Sequence, residues 1–115
     1  PAAMHAVQRL LLALGDPSHD VVRAAVAGVG MTRMPDLADA LVQLFRQCPE
    51  SQRALRLDAL EAIVNLLRYR NGPLPRALAS FLADERRQLA RLPPGRQRDR
   101  VAAGMARLLK KAAPP

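Results

Sequence analysis

A chain of 115 residues that is half hydrophobic but only 3 % aromatic, with no tryptophan, must build its core from Leu, Val, Ala and Met. That suits close helix packing and argues against a β-sandwich, where β-branched and aromatic side chains dominate. The single cysteine, Cys48, excludes an intrachain disulfide and fits a reducing, cytoplasmic setting. The formal net charge of +8 points to anionic partners.

Prolines and glycines divide the chain into six segments of helical period. In the first, Val7, Leu10, Leu11 and Leu14 fall at i, i+3, i+4, i+7 and share one helical face. Gly15 ends it. Asp16 then reads as an N-cap and Pro17 as the first helical residue, where a missing N–H costs nothing. The second segment carries Val22, Ala25, Val26 and Val29 inward and closes at Gly28–Gly30. Pro35 opens the third, with Asp36 in its first turn and Leu37, Leu41, Leu44 and Phe45 as its stripe.

Pro49 and Glu50 open the fourth and longest segment, with Leu57, Leu60, Ile63, Val64 and Leu67 inward, and Asn71-Gly72-Pro73 stops it. The fifth spans about Pro75 to Leu92 with Leu78, Phe81, Leu82 and Leu89 inward, until Pro93-Pro94-Gly95 breaks it. The sixth carries Val101, Met105, Leu108 and Leu109 and frays over Ala112 to Pro115. No stretch alternates with period two for long, and no Asn-Gly or Asp-Gly turn joins two strand-like runs. The fold class expected is all-α: about six helices in antiparallel hairpins over roughly 3–30, 35–70 and 75–112, within a single domain.

The hairpins resemble one another. Pro17, Pro49 and Pro94 each start a polar turn, followed by an arginine (Arg23, Arg56, Arg100) and a small, apolar helix. The arginines are 33 and 44 residues apart, bracketing a two-helix repeat of roughly 40 residues. The stretch Leu10–Gly30, LLLALGDPSHDVVRAAVAGVG, resembles a HEAT-type repeat: a Leu-rich helix, an Asp-Pro turn, a Val-Arg pair and an Ala-rich helix. Asp16, Pro17, Val22, Arg23, Ala24, Ala25 and Gly30 stand near the matching places, with Asp16 to Arg23 one residue longer than the common spacing. The second hairpin keeps Pro49 and Arg56 without the Asp-Pro pair, and the third has a longer first helix. The resemblance implies a short α-solenoid in which Asp16 and Arg23, with Pro17 and Arg56, are turn and ladder residues that cap helices and tie repeats together. It also implies a scaffold for protein partners, with exposed end faces that leave self-association open.

Chemistry is sparse. Asp16, Ser18, His19 and Asp20 crowd one turn, but carboxylates at a helix start suit capping, and no Gly-x-Ser-x-Gly elbow is present. His5, His19 and Cys48 show no metal-ligand spacing. Asp36 with Asp39 and Asp58 with Glu61 are i, i+3 pairs that read as solvated faces. No phosphate-cradling loop is seen. The protein is expected to be no enzyme and to use no cofactor or metal. The longest aliphatic run, Leu10–Leu14, is too short to cross a bilayer, and no secretory signal is apparent.

Charge is the functional signal. Up to Asn71 there are eight basic and seven acidic residues; from Gly72 there are ten basic and three acidic. Arg96, Arg100, Arg107 and Lys111 fall at i, i+4, i+11, i+15, opposite Val101, Met105 and Leu108, and Arg86, Arg87 and Arg91 cluster on the preceding segment. With Lys110 these residues form the expected contact for an acidic protein surface. The alternative is nucleic acid, held through phosphates and weakening steeply with salt. No aromatic interleaves the arginines, which disfavours stacking on single strands.

Overall fold

The computed structural model describes residues 2–111, with side chains from Met4 onward. The expected fraying of Ala112 to Pro115 and the outer limit of the third hairpin lie outside the described residues. All regular structure there is helical: α1 (Ala2–Ala13), α2 (His19–Gly30), a 3₁₀ turn (Pro35–Leu37), α3 (Ala38–Gln47), α4 (Arg53–Leu67), α5 (Arg76–Leu89) and α6 (Arg96–Leu109). The chain is all-α, and it divides into two compact units, Pro1–Tyr69 and Arg70–Pro115.

The first unit is organised around α4, which packs on both α2 and α3. Its expected stripe is too narrow. Leu55, Ala59, Ala62 and Leu66 are buried alongside Leu60, Ile63, Val64 and Leu67, whereas Leu57 is only half-buried. A helix apolar on most sides is one that neighbours enclose. Against it α2 lays Val22, Ala25, Val26 and Val29, and α3 lays Ala38, Leu41, Val42 and Phe45. In contrast, α1 packs on α2, and its apolar residues Val7, Leu10 and Leu11 are only half-covered.

Helix starts depart from the proline positions. Ser18, not Asp16, is the N-cap of α2, and Pro17 precedes the helix. The Asp16 carboxylate instead accepts the Ser18 backbone N–H at 2.8 Å, closing an Asx turn that carries Pro17. The Ser18 hydroxyl accepts the Val21 N–H at 3.5 Å. Pro35 opens a 3₁₀ turn before α3, and Pro49 sits in a turn that delays α4 until Arg53.

Two glycines set helix spacing in this unit. A Cβ on Gly30 would lie 2.8 Å from the Ala62 Cβ and 3.0 Å from its Cα, so α2 and α4 touch nearly backbone to backbone. A Cβ on Gly28 would meet only the tip of the Leu10 side chain, at 2.8 Å. Gly30→Ala is therefore expected to destabilise the unit by about 1–3 kcal/mol through overpacking. Gly28→Ala displaces a half-buried Leu and gains helix propensity, so it stays within about 1 kcal/mol of wild type. Chemical denaturation of both variants checks the contrast.

The second unit is a helical hairpin. Here α5 buries Phe81, Leu82 and Leu89, and α6 buries Val101, Gly104, Met105 and Leu108. Leu78 and Leu109 are half-buried. The Leu74 N–H reaches the Lys111 carbonyl at 3.4 Å, tying the segment before α5 to the turn after α6.

Candidate functional site

The unit boundary sharpens the charge asymmetry. Residues up to Tyr69 hold seven basic and seven acidic side chains; those from Arg70 hold eleven and three. The first unit is formally neutral and the second carries the whole net charge.

On α6, Arg96, Arg100 and Arg107 are exposed. At 3.6 residues per turn they lie within about 40° of one another around the axis. The buried residues Val101, Met105 and Leu108 occupy the other side. Ala103 is the exposed residue in the middle of the row. The helix ends at Leu109, so Lys110 is its C-cap and Lys111 follows in a tightened turn whose N–H bonds to the Leu108 carbonyl at 2.9 Å. Both lysines are exposed, at the end of the helix where the dipole favours cations.

The basic cluster at the end of α5 is less uniform, and its last member, Arg91, lies just beyond the helix. Arg86, Arg87 and Arg91 are all exposed. Arg87 is ion-paired with Asp84 one turn back, and Arg86 projects about 100° away from Arg87. An acid thus interrupts the cationic face of α5.

Arg98, which the sequence reading left out of the candidate contacts, has a different role. Its Nη1 donates to the Leu92 carbonyl at 2.8 Å and to the Leu89 carbonyl at 3.4 Å, at the end of α5. Asp99 steadies it, accepting from Nε at 2.9 Å. Arg56 makes the same arrangement in the first unit: its Nη1 donates to the Cys48 carbonyl at 2.8 Å and the Phe45 carbonyl at 3.3 Å, at the end of α3. Its guanidinium also stands 4.0 Å from the centre of the Phe45 ring. By contact, then, the counterpart of Arg56 is Arg98 and not Arg100. Arg23 differs from both. Its Nε donates to Asp58 at 2.7 Å, joining α2 to α4. That hydrogen bond and the Asp58 charge, with a smaller contribution from Asp20, hold the Arg23 guanidinium still more firmly protonated than a free arginine.

In the crowded turn at Asp16–Asp20, Asp16 and Ser18 accept from backbone N–H groups, and His19 begins α2. No group of three or more His, Cys, Asp or Glu side chains among the described residues could hold a metal ion. No described helix is long and apolar enough to cross a membrane. A shallow groove of about 280 Å³ lies between the α1–α2 and α3–α4 turns, lined by Leu14, His19, Leu44, Cys48, Gln52 and Leu55 among others. Cys48 is buried there, its thiol 3.5 Å from the Gln52 amide oxygen.

Burial pushes the Cys48 thiol up, and the Arg56 charge only partly offsets that. A raised folded-state value means that the protonated thiol contributes stability in full below the ordinary thiol range, at about 8.5. That contribution is lost as pH climbs through the higher folded value. Cys48→Ala is expected to flatten the fall in denaturation midpoint above about pH 8.5, with little change in its pH dependence near neutrality.

Comparison with protein-family models, curated proteins and solved structures finds no match to this chain.

Proposed function

We propose that this chain is a non-enzymatic interaction module of HEAT-like helical hairpins, which presents the cationic face of its second unit to an acidic protein surface in a cytoplasmic setting. The observation that carries the reading is the exposed row Arg96, Arg100 and Arg107, continued by Lys110 and Lys111. This row lies on a unit with eleven basic and three acidic residues. The repeat character is supported by the duplicated arginine caps, Arg56 on the end of α3 and Arg98 on the end of α5, and by the Arg23–Asp58 link between α2 and α4.

Affinity capture with the wild-type chain and with a charge-reversed variant, Arg100→Glu, Arg107→Glu and Lys111→Glu, tests the reading. Acidic proteins retained by the wild type and lost, by about tenfold or more, from the variant are the expected result, since rim charges govern encounter and specificity. Equal capture by both would sink it. The second reading, phosphate contact with nucleic acid, draws on the same net charge. A salt titration with random duplex DNA and RNA separates the two: tight duplex binding that falls steeply with salt would favour nucleic acid.

A further inference from the structure

We infer that the partner element recognised by this unit is an acidic α-helix laid lengthwise along α6, with carboxylates in a matching straight row. The inference rests on the acidic-partner reading above and goes further by naming the shape of the ligand. Arg96, Arg100, Arg107 and Lys111 are spaced four, seven and four residues apart. On a helix this makes two cationic pairs about 16 Å apart, along a row of about 22 Å. The last member is carried in the closing turn. Between the pairs the exposed position is Ala103, whose methyl group lets another rod approach closely. A helix with acids at the same four-seven-four spacing meets both pairs at once. The spacing reads the same in both directions, so parallel and antiparallel partners fit equally.

A nucleic acid duplex fits this row less well. A helix seated in the major groove, about 12 Å wide, faces phosphates on both flanks. It needs cations on both its sides and polar side chains between them to meet base edges. Here Arg96, Arg100 and Arg107 share one narrow sector, with Ala103 at its edge. Single strands lack a stacking platform, because Phe81, the one aromatic residue of the second unit, is buried. The row on α6 is the longer and straighter of the two basic clusters, with Arg96, Arg100 and Arg107 exposed within one sector, and this makes α6 the docking helix.

The test uses the full chain and three probes, read by fluorescence anisotropy. The first is an Ala-rich helical peptide of about 20 residues, long enough to hold a helix, with four glutamates at the four-seven-four spacing. The second is the same composition with the glutamates spread around the helix. The third is a short random DNA duplex. The matched peptide is expected to bind about tenfold tighter than the spread one. Ala103→Phe, which adds bulk on an exposed position without changing charge, is expected to remove that preference. Equal binding of the two peptides, or a preference that survives Ala103→Phe, overturns the helical partner and leaves the acidic-partner reading standing. Binding of the duplex alone, or of no probe at all, overturns both.

Discussion

Arg56→Ala is expected to lower the stability of the first unit by about 3 kcal/mol, read as a lower denaturation midpoint with the slope unchanged. Two interactions are lost together. The guanidinium donates to the Phe45 and Cys48 carbonyls, which α3 presents at its C-terminal end. Hydrogen bonds from a charged donor to such orphan carbonyls are worth about 1.5–3 kcal/mol. The same group stands 4.0 Å from the Phe45 ring centre, an attraction of about 0.5–2 kcal/mol according to its exposure. The two share one side chain, so they do not simply add. Arg56→Lys is expected to recover less than half the loss, because an ammonium has no planar fork for two carbonyls and stacks poorly on a ring. A loss below about 1 kcal/mol in Arg56→Ala would show that water satisfies these carbonyls equally well.

The arginine caps also show what the sequence could and could not convey. The helical class and the order of the segments were legible, because Val22, Val26, Val29, Leu60, Ile63, Val64, Leu82, Val101, Met105 and Leu108 recur at helical spacing and all are buried. The exposed row on α6 was legible for the same reason, since Arg96, Arg100 and Arg107 occupy the complementary positions. Helix starts were not. Proline suits both the first helical position and the loop before it, and the choice at Pro17 is made by the Asp16–Ser18 Asx turn, at Pro49 by the turn that precedes Arg53. Counting from a proline to the next structural arginine inherits that error. In the second hairpin the count gives Arg56, the fourth residue of α4, which does cap α3. In the third it gives Arg100, whereas the cap is Arg98, the third residue of α6. Which side chain reaches back to the preceding helix depends on loop length and helix start together, and neither has a periodic signature. The breadth of burial on α4 was hidden as well: Leu55, Ala59, Ala62 and Leu66 lie off a single stripe, and only the packing of α2 and α3 on two sides of the helix covers them.

The other large effect separates arginines that hold the second unit together from arginines that serve its surface. Arg98→Ala is expected to lower the unit's stability by about 2 kcal/mol, because the Leu89 and Leu92 carbonyls lose a charged donor. The double variant Arg96→Glu, Arg107→Glu is expected to stay within about 0.5 kcal/mol of wild type, as exposed substitutions do. Arg96 begins α6, where a new carboxylate meets the positive end of the dipole, and Arg107 lies in its last turn, where one meets the negative end. These contributions oppose each other, and removing positive charge from a unit with eleven basic and three acidic residues relieves self-repulsion. Thermal and chemical denaturation of the two variants, set beside binding of the four-seven-four acidic peptide, gives a crossed result if the roles are as assigned. Arg98→Ala retains binding below its melting temperature, while the folded double variant loses it. If Arg96→Glu, Arg107→Glu unfolded the unit as readily as Arg98→Ala, the exposed row would be a structural element and its loss of binding would say nothing about recognition.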